Sequence, residues 1–244
     1  MNFTFDNRQD SLFVLREGFS FPSFTSSTQY SSTSHSDFRR RIRSTLQPYE
    51  FDVPLIVLTD EGRVSRDKII ERLNNLLYST GPNKFKIEDT NWYFIGEFNG
   101  PYFLPPYFNK FSQVDVQFSS QYPYKFYDDE KVQTAAKTVT ISTKSQLPTI
   151  PLIELTGLTG TDVQISISGD SFRRIRLTGD IPGQLTIDIE NERIYETNSG
   201  LNRINLLRYD SAFEDFRIKN QDVVVLTNAS ETAKAKLTYK ELLL

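Results

Sequence analysis

The sequence has no cysteine, and only one histidine, one tryptophan and one methionine among its 244 residues. Without thiols there is no disulfide and no thiolate chemistry, a composition suited to folding in a reducing cytoplasm. The single histidine, His35, sits in a Ser/Thr-rich run, TSSTQYSSTSHS (25–36), which offers poor support for the rigid positioning that a Ser-His mechanism requires. It reads as a solvated loop residue. One histidine and no cysteine leave only carboxylates as further zinc ligands, so no metal site is expected, and no cofactor either, since no Gly-rich phosphate loop is present. Nor does any stretch approach the roughly 18 apolar residues of a membrane span. The opening MNFTFDNRQD lacks a basic segment followed by an apolar one, so no secretory signal is expected. A net charge of −3 gives no overall drive toward nucleic acid or anionic lipid.

Aromatic residues are scarce in only one half. Trp92, nine of the 12 Tyr and 16 of the 19 Phe precede residue 128. After it come only Phe172, Phe213, Phe216, Tyr195, Tyr209 and Tyr239. Such a shift predicts two separately built cores, one rich in rings and one of Leu, Ile and Val. The expected fold class is mostly β. A sandwich- or barrel-like first domain with one helix is assigned to 1–135, and an antiparallel β-sandwich to 136–244. A polar linker is placed at 128–149, with a strand possible at TVTIS within it.

Short alternating apolar runs mark strands at FTF and SLFVLREGFSF, and FRRRIRSTLQPYEFDVPLIVLTD (38–60) reads as two more, with Pro48 and Pro54 at edges or bends. The Ser/Thr run between them reads as an exposed loop. One segment has a helical period: SRDKIIERLNNLLYSTGP, with Ile69, Ile70, Leu73, Leu76 and Leu77 on one face, Ser65 as N-cap, Asp67 in the first turn and Gly81-Pro82 as the stop. FKIED and NWYFIGEFN follow as a hairpin around 88–91, then a Pro- and aromatic-rich loop at 99–111, then QVDVQFSSQYPYKFY. From residue 150, short strands recur every 8–12 residues: PLIELTGL, VQISIS, RRIRLTG, QLTIDIE, RIYET, RINLL, DVVVLTN and AKLTYKELLL.

Three clusters merit weighing as sites. Asp188 and Glu190, two apart on an expected strand, share a face as a glycosidase pair would; the competing and favoured reading is the polar face of an amphipathic strand whose Ile187 and Ile189 point inward. Asp128, Asp129 and Glu130 read as solvated linker rather than a metal site. Arg39, Arg41 and Arg43 share one strand face, with Arg40 and Ile42 on the other. That stripe admits three readings: contact with nucleic acid, an interface strip facing acidic groups such as Asp60 and Glu61 of a neighbouring subunit, or exposed charge that protects an edge strand. A sugar site in the second half would call on Tyr195, Tyr209, Phe213 or Phe216, although a sandwich core can absorb all four.

In order and spacing, several of these segments resemble the distal tail protein (Dit) family of siphophages. The resemblance lies in IIERLNNLLYSTG, FKIEDTNWYFIGEFNG and VDVQFSSQYPYKF in the first half. In the second it runs through PLIELTG, QLTIDIENERIYETNSGLN, SAFEDFRIKNQDVVVLTN and AKLTYKELL. Two loops differ from the family pattern: STLQPYEFDVPL has no Gly before the helix, and Arg217-Ile218-Lys219-Asn220 stands in place of a Pro-Gly turn.

The resemblance implies a non-enzymatic structural protein of the virion, assembled in the bacterial host cytoplasm. Its N-terminal domain would close a hexameric ring at the distal end of the tail tube, and a C-terminal galectin-like sandwich would decorate the outside. Tail-tube protein would bind on one side and tail-tip or baseplate proteins on the other, with DNA passing through the channel without specific binding. Ring contacts are placed in the first domain, with Phe38, Arg39, Arg41 and Arg43 as interface candidates. The rival reading is a host-adhesion protein whose C-terminal sandwich binds cell-wall saccharide; a glycosidase is the more distant one.

Overall fold

Alternation of apolar and polar residues becomes alternation of buried and exposed ones along most of the strands of this chain. The computed structural model describes residues 1–31, 40–59, 64–101, 103–105 and 111–244, with only the backbone placed for 30, 31, 40–42 and 111. Two units result, Met1–Phe126 and Tyr127–Leu243.

The first unit contains β1 (Phe3–Phe5), β2 (Phe13–Leu15), β3 (Thr25–Ser31), β4 (Arg40–Gln47), β5 (Glu50–Leu58), α1 (Arg66–Leu77), β6 (Asn83–Ile87), β7 (Trp92–Asn99) and β8 (Phe111–Ser120). Strands pair antiparallel in the order β1-β6-β7-β8-β5-β2. The amide of Leu15 then donates to the Met1 carbonyl at 2.8 Å, and the Met1 ammonium donates to the Leu15 carbonyl at 3.3 Å. The path of pairings therefore returns to its start, as in a small barrel, and leaves little edge to aggregate.

Large rings fill the interior. Phe5, Phe94 and Phe118 are fully buried, and Phe118 lies 5.0 Å from Phe85, 5.2 Å from Phe98 and 5.4 Å from Phe51 between ring centroids. Tilted and edge-on contacts of this kind suit aromatic quadrupoles. The aromatic excess of the first half thus fills its own core. Helix α1 adds Ile69, Leu73, Leu76 and Leu77 to that core, while Ile70, expected inward with them, is only half-buried. Ser65 caps the start, its hydroxyl accepting from the Lys68 amide at 3.4 Å. The helix ends at Leu77, before the expected Gly81-Pro82 stop, because Tyr78 turns extended.

Pro54 lies inside β5 without breaking its ladder to β8. Its carbonyl accepts from Arg16, beyond the end of β2, so its missing N–H faces that same side, where β2 has already ended.

The Ser/Thr run is a strand over 25–31, which corrects the expected loop; 32–39 lie outside the described residues. β3 pairs with β4 from Thr25↔Gln47 to Ser31↔Arg40, and among the described residues this two-stranded ribbon joins no other sheet. Cross-strand hydrogen bonds hold it, including Thr28 with Ser44 at 3.2 Å, although none of its described side chains is buried.

The chain enters the second unit along β9 (Lys125–Ala135), and continues with β10 (Thr138–Thr140), β11 (Leu152–Thr156), β12 (Asp162–Ile167), β13 (Asp170–Thr178), β14 (Gln184–Asp188), β15 (Arg193–Glu196), β16 (Val223–Thr227) and β17 (Lys234–Leu243). The segment expected as a linker is therefore largely strand, and its Ala135 and Ile141 are buried in the second core. Sheets β15-β14-β11-β17-β9 and β10-β16-β12-β13 enclose that core, which is mostly Ile, Leu and Val with Phe213, Phe216 and Tyr239. It is an antiparallel β-sandwich.

RINLL, expected as a strand, is a 3-10 turn at Ile204–Leu206 inside a crossover. One end of the crossover runs along β15, with Arg203 donating to the Ile194 carbonyl; the other runs along β13, with Arg208 donating to the Arg176 carbonyl and Ala212 to that of Arg174. A single connection thus closes one edge of each sheet, and its apolar residues serve the rim rather than a ladder.

Candidate assembly surfaces

Two of the interface candidates, Arg41 and Arg43, fall on the ribbon. Phe38 and Arg39 lie outside the described residues, as do His35, Asp60 and Glu61. Arg41 and Arg43 stand opposite Tyr30 and Gln29, and the register shifts between these two pairs, so Ile42 is the extra residue of a bulge. The strict two-residue repeat is interrupted there, and a shared face for Arg41 and Arg43 does not follow from spacing alone. Arg43 is exposed.

Asp188 and Glu190 are not brought together as an acid pair. Asp188 ends β14 and its carboxylate accepts from the Asn191 amide at 3.1 Å and side chain at 2.8 Å, while Glu190 is exposed in the turn. Ile187 and Ile189 are buried, as the amphipathic-strand reading expects. Asp128, Asp129 and Glu130 lie on β9, with Lys240 3.9 Å from Glu130. Among the described residues no three His, Asp or Glu side chains converge as metal ligands.

Two further clusters gather residues that are mostly distant in sequence. Lys125 lies 4.9 Å from the Trp92 ring centroid and 5.8 Å from those of Tyr49 and Phe94, so three π faces surround a half-buried ammonium whose pKa is lowered by burial. In the second unit, Asp210 accepts from Arg174 at 3.2 Å and Arg176 at 3.3 Å, with Arg208 3.3 Å away. Arg173 binds Asp170 at 2.7 Å, Asp222 at 2.5 Å and the Arg217 carbonyl at 2.9 Å. Asp222 also accepts from the Lys219 amide at 3.0 Å, which shapes the Arg217–Asn220 turn where a Pro-Gly turn was absent. The pattern RRIR within β13 was visible in the sequence, but of its acidic partners only Asp170 is a near neighbour; Asp162 lies 14 residues away, and Asp210 and Asp222 lie 34 to 49 residues away.

Of the aromatic residues considered for sugar stacking, Phe213 and Phe216 belong to the core and Tyr195 is half-buried, whereas Tyr209 is 94% exposed beside Arg208. The first unit has exposed rings of its own, among them Tyr78 at the end of α1.

No family model and no curated protein sequence matches the chain. Solved structures do. SPP1 Dit (gp 19.1), described as a paradigm of the hub adsorption apparatus in phages infecting Gram-positive bacteria, superposes with a TM-score of 0.81 at 16% identity, covering 100% of this chain and 99% of that one. A chain of the phage P2 baseplate in its activated conformation with calcium matches with a TM-score of 0.52 at 10% identity, over 95% of this chain and 91% of that one. At such identities the likeness is one of fold, and over its full length this chain has the fold of a phage Dit protein.

Proposed function

We propose that the chain is a structural subunit of a siphophage tail, closing a hexameric ring at the distal end of the tail tube and joining the tube to tail-tip or baseplate proteins. The first unit forms the ring, the sandwich decorates its outside, and DNA passes through the channel without being gripped. The observation that carries this reading is the end-to-end likeness to SPP1 Dit, both units included.

Two features of the molecule support it. Among the described residues the β3–β4 ribbon pairs only with itself, and a lone two-stranded ribbon is marginally stable in water, so it gains from a neighbour. β13 and β15 in the sandwich are each covered by the crossover, which discourages strand addition there. Closure would be driven by apolar burial between subunits at about 25 cal/mol per Å², before association costs. No step of this role needs a catalytic group. The test is the mass of the purified chain in solution, alone and with tail-tube protein. Six or twelve copies support the ring, and a chain that stays monomeric even with tail-tube protein counts against it.

A second reading, adhesion to cell-wall saccharide through the sandwich, draws on one observation, the exposed Tyr209 ring beside Arg208. Its arginine neighbours are already engaged by Asp210, which leaves the ring with few polar groups able to orient a sugar. The ring reading is preferred.

A further inference from the structure

The last turn of α1 and the end of β7 enclose a cleft of about 450 Å³, within the range of about 300–1,000 Å³ usual for small-molecule sites. Its floor includes Phe98, fixed edge-on against Phe5 at 5.0 Å. Its wall is Tyr78, 70% exposed yet held by its backbone: the amide donates to the Asn74 carbonyl at 2.8 Å, and the carbonyl accepts from Arg8 at 2.7 Å. An exposed ring on an immobilised backbone is a platform rather than a loose surface residue.

The described polar lining is three carboxamides and one guanidinium. Asn74 and Asn75 are exposed on the last helical turn, and the Asn99 side chain donates to the Ser119 hydroxyl at 2.8 Å, which orients that amide and leaves its oxygen as an acceptor. Arg8, the cation of the cleft, is engaged by two helix carbonyls and lies 3.3 Å from Asp6. Its charge is therefore offset by the helix C-terminus and a carboxylate, while its Nε has no hydrogen-bond partner, and no other described lining residue is a cation.

From this arrangement we infer that the cleft binds a neutral saccharide unit. Carboxamides both donate and accept, as sugar hydroxyls do. The Tyr78 face suits the C–H side of a pyranose, an apolar surface edged by polar groups. The inference stands apart from the ring reading and from the Tyr209 surface, since it uses only residues of the first unit.

Saturation-transfer NMR on the full chain with glucose, galactose and N-acetylglucosamine tests it. At least one sugar should show transfer, Tyr78→Ala should weaken it by about tenfold or more, equivalent to about 1.4 kcal/mol, and Tyr78→Phe should keep it. Tyr209→Ala should leave it unchanged. Thermal melts establish that each variant folds. Absence of transfer from all three sugars overturns the inference, as does transfer that survives Tyr78→Ala or disappears with Tyr209→Ala.

Discussion

The guanidinium of Arg8 caps helix α1 from 70 residues away, donating to the Tyr78 carbonyl at 2.7 Å and to that of Asn75 at 2.6 Å. Helices end with carbonyls that have no partner within the helix, and a cation there also meets the negative end of the macrodipole. No basic residue of the last turn of α1 does this, and the C-cap is not a left-handed glycine. Nearby, the Arg72 side chain donates to both oxygens of Asp10, the Nε bond at 2.8 Å, so the 6–10 turn grips the helix at two points. Arg8→Ala should destabilise the first unit by about 1–2 kcal/mol. Arg8→Lys, a point charge without the fork, should recover only part of the loss. Urea unfolding followed by Trp92 fluorescence reads both.

Gly96 of β7 stands opposite Ser120 of β8 with no room for a side chain. A Cβ there would meet the Ser119 carbonyl oxygen at 2.3 Å, the Phe118 ring at 2.6 Å and Ser120 Cα at 2.8 Å. Two of those three neighbours are backbone, so the strands themselves would have to separate. Gly96→Ala should cost about 2–3 kcal/mol or more. Amide exchange should rise in β7 and β8 while β11–β17 stay protected; unchanged exchange in β7 and β8 would contradict the steric argument.

Acidification should weaken the second unit through identifiable carboxylates. Asp170 is held below the usual carboxylate range by the hydrogen bond from Arg173 and the Phe172 amide. Glu196 is lowered by the Ser199 hydroxyl and Arg203. At Asp210 burial pushes upward, and Arg208, Arg176 and Arg174 outweigh it. A carboxylate whose folded pKa is depressed stabilises fully above its unfolded pKa, and that stability is lost as pH falls toward the folded value. Thermal midpoints should therefore drop below about pH 4. Combining Ser199→Ala with Arg203→Met should make that drop shallower, and an identical acid profile would rule out the Glu196 contribution.

Reversing the charge of the 39–43 arginines should act on assembly and not on folding. Changing Arg39, Arg41 and Arg43 together to Glu is expected to shift oligomer toward monomer in light scattering, with an unchanged melting profile. An intact oligomer would remove the ribbon from the interface.

Elements with strong local periodicity were legible. Helix α1 follows from its aliphatic spacing and Ser65, and the β6–β7 hairpin from apolar runs on either side of 88–91. RINLL failed because a crossover sealing a sheet rim also presents apolar side chains inward, as Leu206 does. The Ser/Thr strand failed because β3 pairs through its backbone and needs no apolar face. The Tyr78 cleft was invisible for another reason: its lining comes from the 6–10 turn, the helix end and the end of β7, and only their meeting makes it concave.

By itself the sequence determined the two compositions that become two cores, since rings concentrated before residue 128 and aliphatics after it have to be buried locally. It also determined which residues face inward along most strands, because a period of two is set by the backbone. Tertiary structure alone decided the closure of the first sheet by Met1 and Leu15, the capping of α1 by Arg8, the gathering of arginines around Asp210, and the sealing of the sandwich rims by the 201–212 crossover. Each of these joins backbone or charged groups distant in sequence. Such groups occur throughout the chain, and their pairing is selected only when the packed cores fix which of them meet.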